Sequence, residues 1–227
     1  MISILRSIVF LSILNFCALA TAQVSATPSN KMYGEVRVMS NYVAKGITQS
    51  NKGPSIGAGL GYFFGPQAKI GFEAASVKYP DEGTNVEMRL LGEYKFIFSA
   101  TSDLRVRNDF FRYFSEGDRN KVLVTLDQNF FTYHILYSYE ENFEGTKSPR
   151  SWFAFQHDFS YSPTFVIPVT AGYSMVSGYS NFFDTRAGFA YLSPNITAGV
   201  YHTYVSTASE FDGQADMAFL IELLAKF

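Results

Sequence analysis

From residue 85 to residue 98 the chain alternates with a period of two: Val86, Met88, Leu90, Tyr94 and Phe96 fall in one phase, Glu87, Arg89, Glu93 and Lys95 in the other. Successive side chains of a strand leave opposite faces, so this spacing gathers oily groups on one side and ionised groups on the other. On a helix the same residues would scatter around the axis. The pattern recurs along the chain and predicts about twelve strands, near 32–43, 54–63, 67–78, 85–98, 102–113, 120–128, 130–140, 151–161, 165–176, 181–192, 195–205 and 214–227. Each is close to the roughly 9–11 residues that a tilted strand needs to cross a bilayer.

The connections carry a second rhythm. Those at 44–53, 79–84, 114–119, 141–150 and 206–213 are long and that at 177–180 intermediate, whereas 65–66, 100–101, 129, 162–164 and 193–194 are tight. An antiparallel up-and-down barrel with short turns at one rim and longer loops at the other produces such alternation. A sandwich with Greek-key connections has no reason to. The predicted fold is therefore an all-β transmembrane antiparallel up-and-down β-barrel of about twelve strands.

Alternation alone does not say whether the oily face meets lipid or a protein interior, since a water-soluble barrel has the same period. Three features favour lipid. The apolar phase is rich in Phe and Tyr, as in Phe131, Tyr133, Ile135, Tyr137 and Tyr139, with tyrosines near strand ends where aromatic girdles sit. Twelve strands also enclose a wide interior, and filling it with apolar side chains alone is unusual in a soluble protein. Finally, Met217, Phe219, Ile221, Leu223, Ala225 and the last residue, Phe227, share one phase. That ending resembles the C-terminal signal of bacterial outer-membrane barrels read by their assembly machinery.

The first 22 residues read as a cleaved secretory signal: Arg6 gives the positive start, 8–19 is mostly apolar, and Ala20-Thr21-Ala22 is a small-residue cleavage site. A membrane anchor would need a longer apolar run. A lipid-attachment site at Cys17 would need small residues where Asn15 and Phe16 stand. The barrel domain then occupies 23–227, and the single cysteine leaves with the signal. Disulfides, thiolate metal sites and cysteine nucleophiles are excluded together, as suits an oxidising exported compartment. A formal charge of −2 offers no cationic excess for phosphate, so nucleic acid is not an expected partner.

Under this reading the charged phase points into the barrel. The expected pore-lining residues are Glu35 and Arg37, then Glu87, Arg89, Glu93 and Lys95, then Arg105, Arg107 and Asp109, and finally Asp184 and Arg186. Signs alternate between neighbouring strands, which permits cross-strand ion pairs. The same residues could form a plug of paired charges or a narrow aqueous channel, with Arg105 and Arg107 facing acidic rows across water. Alternate glycines at 57, 59 and 61 leave room on the inner face for a bulky neighbour such as an arginine. Pro168 removes a ladder donor within a strand and is tolerable only near its short-turn end or at a bulge.

Catalytic and metal signatures are not expected. Of the three histidines, His157 falls on the apolar phase, His202 near a strand end, and His134 on the inner phase beside Thr132 and Ser138. A general-base role at His134 is conceivable, but structural hydrogen bonding is the commoner fate. No His-x-Ser arrangement of the kind used by barrel lipid hydrolases is present.

The stretch Ser40-Asn41-Tyr42-Val43-Ala44-Lys45-Gly46-Ile47-Thr48-Gln49-Ser50, followed by Lys52-Gly53-Pro54, resembles the N-terminal hallmark of Gcw_chp, a family of exported proteobacterial proteins of no established activity. Lys45 stands where the family usually has Arg, and Thr48 where it usually has Ser. The resemblance implies an outer-membrane barrel, porin-like in form, and transfers no more than a positive charge at the base of a loop. The sequence thus leads to a narrow channel for small polar solutes in the outer membrane, without cofactor. A closed structural barrel with exposed interaction loops is the first rival, a lipid-modifying enzyme the second and a soluble periplasmic carrier the third.

Overall fold

The computed structural model describes residues 31–78, 84–114, 120–143, 146–211, 214–215 and 217–227. The expected signal at 1–22, with Cys17, lies outside the described residues.

The barrel strands are β1 (Lys31–Met39), β4 (Ser55–Phe64), β5 (Ala68–Lys78), β6 (Thr84–Ser99), β7 (Ser102–Tyr113), β8 (Lys121–Phe130), β9 (Tyr133–Glu140), β10 (Arg150–Ser160), β11 (Phe165–Val176), β12 (Phe182–Leu192), β13 (Ile196–Val205) and β14 (Ala218–Lys226). These twelve pair antiparallel with their neighbours in the chain, and β14 returns to β1 to close the barrel. Two short strands, β2 (Val43–Ala44) and β3 (Ile47–Thr48), form a separate hairpin inside the first long connection. Closure follows from the solvent: lipid offers no hydrogen bonds, so every backbone donor and acceptor must pair within the sheet. The chain end completes the seam, with the Phe227 amide donating to the Gly34 carbonyl at 3.0 Å and the Gly34 amide donating back at 2.8 Å.

The oily phase faces outward. Ile135 is 62% exposed, Phe189 71% and Phe219 77%, values that make sense only on a surface meant for acyl chains. Aromatic groups band both rims. Tyr133, Phe159, Tyr161 and Tyr191 lie at the short-turn end, and Tyr139, Phe183 and Tyr204 at the other. His157 and His202 are on this outer face, packed against Tyr133 and Phe219 at ring-centroid distances of 4.3 and 5.0 Å.

Three boundaries differ from expectation by more than one residue. β1 ends at Met39 rather than continuing to residue 43, because the chain turns inward there. The β8–β9 turn falls at 131–132 instead of 129, so Phe131 is a turn residue with φ of 57° and not part of the strand. The last strand starts at Ala218 rather than 214. Pro168 is the fourth residue of β11, near the short-turn end. The β11–β12 pairing resumes in the same register on either side of it, Val166 with Ala190 and Val169 with Ala187, without a bulge.

Candidate functional site

The lumen is not a uniform tube, because the first long connection, 40–54, folds into it. At its tip Val43 pairs with Thr48 and Ala44 with Ile47, leaving the two-residue turn Lys45-Gly46. Both turn residues have positive φ, 49° and 84°, the requirement of the tight hairpin turn that matches strand twist. The hairpin is tied within itself: Asn41 Oδ1 accepts from the hydroxyls of Thr48 and of Ser50, the latter at 3.1 Å, and the Tyr42 amide donates to Ser50 Oγ at 2.9 Å. It is also tied to the wall. The Lys78 amide donates to the Gln49 carbonyl and the Thr48 amide to the Gln214 carbonyl, both at 2.8 Å.

Apolar burial fixes it from several sides. Ile47 is fully buried with Phe143, Val176, Phe182, Val205, Phe211 and Ala215. Tyr42 packs beside Val77, Phe111 and Tyr113, and Val43 reaches toward Tyr201 and Leu220. Period-two reading sends apolar groups to the lipid, yet Phe111, Tyr113, Val176, Phe182 and Val205 lie on the charged phase and point inward. The reason is that the inserted hairpin presents apolar surface to the inner wall at this depth.

The hairpin leaves two unlike halves. Along β4–β8 the charged residues pair directly. Arg89 meets Glu73 and approaches Asp109 at 3.7 Å, Arg107 binds Asp109 at 2.8 Å, and Arg105 reaches Asp103 at 3.2 Å and Asp127 at 3.7 Å. Lys95 pairs with Asp103 at 3.3 Å, and Glu93 lies opposite Lys69 in the sheet. Glu87 accepts hydrogen bonds from Tyr42 at 3.3 Å and Tyr113 at 2.6 Å. The expected pore-lining cations on these strands are therefore ion-paired, Arg105 and Arg107 each with a carboxylate on its own strand. At the seam Glu35 and Arg37 join the same kind of network, Arg37 reaching Glu222 at 3.6 Å and Arg186 reaching the same carboxylate at 2.7 Å. The bulky side chain opposite the small inner face of β4 is Tyr33, whose ring lies across Gly61 and Gly71, rather than an arginine.

Along β9–β13 there is space. A cavity of about 320 Å³ beneath the hairpin tip is lined by Lys45, Gly46, Trp152, Gln156, Pro168, Thr170, Arg186 and Tyr201 among others. A wider one of about 660 Å³ follows at the short-turn mouth, lined by His134, Asp158, Ser160 and Val166. The two adjoin along the same strands, since Gln156 and Asp158 on β10, and Pro168 and Val166 on β11, are next neighbours on one face. His134 pairs through Nδ1 with Asp127 at 2.9 Å. Among the described residues no serine or threonine hydroxyl hydrogen-bonds to its ring.

Two cations stand over rings in the upper cavity: Lys45 Nζ lies 5.5 Å from the Trp152 centroid, and the Arg186 guanidinium 3.8 Å from Tyr201. Trp152 can lie flat there because Gly172 beside it has no side chain, and its indole N–H donates to Asp184 at 2.7 Å. Burial, with Arg150 nearby, pulls the Lys45 ammonium on this connection from its usual 10.5 down to about 7. Of these residues only Asp184 and Arg186 were expected from charge phase. Trp152 carried a legible signal, being the sole tryptophan and standing in the polar phase of its strand with Gln156 and Asp158. The family resemblance puts the positive charge of Lys45 at the base of a loop, whereas it stands at the tip of the hairpin, and nothing in the sequence says that this turn lies inside the barrel.

No family model and no curated protein matches this sequence. Among solved structures the chain is similar to KdgM porin, with a TM-score of 0.56 and 10% identity over 86% of this chain and 98% of that one. A KdgM porin in complex with disordered oligogalacturonate gives 0.58 and 9%, covering 87% and 99%. The COG4313 outer membrane channel from Pseudomonas putida F1 gives 0.54 and 11%, covering 91% and 98%. At such identities the likeness is one of fold: this chain has the closed, twelve-stranded architecture of outer-membrane barrels.

Proposed function

We propose that the protein is a narrow outer-membrane channel for small polar solutes, with passage confined to the half of the lumen along β9–β13. The long loops then face the cell exterior and the short turns the periplasm, as in other bacterial barrels. The observation that carries this is the adjoining pair of cavities running from the short-turn mouth to the hairpin tip. The fold shared with KdgM porin and the COG4313 channel supports it. A cleaved signal at 1–22 and recognition of the Phe227 end by the barrel-assembly machinery belong to the same reading.

One observation favours the closed-barrel rival. The apolar cluster around Ile47, Phe143, Phe182 and Phe211 caps the route at the long-loop end. Purified protein reconstituted in planar bilayers decides between them. Discrete conductance steps are expected, and their absence at every voltage would leave a closed barrel.

A further inference from the structure

Most cations of the lumen are ion-paired with a carboxylate, but Lys45 at the cavity beneath the hairpin tip is not. Glu140 is ion-paired with Arg150 at 2.8 Å and Lys121 at 3.6 Å, and Asp184 accepts the Trp152 indole N–H at 2.7 Å. Among the described residues no carboxylate oxygen comes within ion-pair distance of Lys45 Nζ. Its companion is the neutral face of Trp152, which steadies a cation without cancelling its charge. Arg186, although it keeps Glu222, turns its plane onto Tyr201 in the same way. Gln156 and Thr170 add amide and hydroxyl groups to the same walls. A volume of about 320 Å³ is that of a site for one small ligand.

We infer that this cavity binds a small hydroxylated carboxylate, with Lys45 as the group that selects for anions. The inference rests on the channel reading and names its solute class. One ammonium without a contact ion pair matches one negative charge, and a dianion would set its second charge against Asp184. The aromatic rings already carry the cations, so hydroxyls facing Gln156 and Thr170 suit the remaining wall better than an apolar body.

The test uses the full-length barrel in planar bilayers at pH 6 with potassium chloride gradients and sodium gluconate as probe. Expected are a reversal potential showing anion preference and a loss of chloride current of at least about twofold at millimolar gluconate. Sorbitol, which has the hydroxyls without the carboxylate, and sulfate are expected to block far less. Lys45→Gln should abolish the block and the preference while conductance persists, Lys45→Arg should restore both, and Lys69→Gln in the packed half should change neither. A cation-selective wild type, equal block by sorbitol, or block unchanged in Lys45→Gln overturns the anion site but leaves the channel standing. If the wild type conducts nothing, the channel reading falls, and calorimetric titration of gluconate into the detergent-solubilised barrel decides the site: heat lost in Lys45→Gln supports it, and no heat in the wild type overturns it.

Discussion

At the scale of single residues, what matters is whether a charge has a partner. Arg105 and Arg107 read in sequence as the best channel-lining cations, yet Arg105 pairs with Asp103 on its own strand and Asp127 on the next, and Arg107 with Asp109 on its own. Reversing Arg107 to Glu would leave buried Asp109 facing a like charge, at a cost of about 3–5 kcal/mol if burial were complete and less in this half-wet lumen. The expected outcome is a lower temperature for loss of the folded gel band, with reversal potential nearly unchanged. Lys45 behaves oppositely. Its proton leaves near pH 7, so anion preference should be strong at pH 6 and largely gone at pH 8. Asp184, Glu140, Arg150 and Lys121 face it from the wall, and His134 lies in the adjoining mouth, so the control is Lys45→Gln, whose reversal potential should stay flat over the same range. Linkage adds a second consequence. A lysine with a lowered pKa binds fewer protons when docked than when free, so between about 7 and its ordinary 10.5 hairpin docking strengthens as pH rises.

At the scale of elements, the inserted hairpin governs the bore. Gly46 holds φ of +84°, and a Cβ there would lie 2.5 Å from Val205 Cγ2 and 2.9 Å from Asp184 Cβ. The left-handed conformation alone costs a non-glycine residue about 1–2 kcal/mol, and the clash adds to it. Gly46→Ala should therefore undock the tip from β12 and β13 and raise single-channel conductance severalfold, read directly in bilayers. An unchanged conductance would mean that the hairpin is not the constriction. The barrel strands were legible, most of them to within one residue at each end, because lipid outside and charge inside impose one period on every one of them. The hairpin was not. Its residues Tyr42, Val43 and Ile47 look like the end of one strand and the start of a loop, and only their burial against Phe111, Tyr201 and Phe182 gives them a place.

For the whole molecule, closure is the stabilising event, and it depends on the first and last strands meeting. Removing Phe227 deletes both hydrogen bonds to Gly34 and the ring that covers it. A smaller heat-modifiable folded fraction in the outer membrane is expected, measured by comparing unboiled and boiled gel mobility. By itself the amino-acid order determined the number of barrel strands, their faces, the two rims and the charged groups turned inward, because each follows from local alternation against two solvents. Tertiary structure alone decided which charges cancel and which half of the lumen stays open. Those outcomes depend on contacts between residues far apart in the chain, such as Lys45 with Trp152, and a period along one strand contains no information about what is folded into the space it encloses.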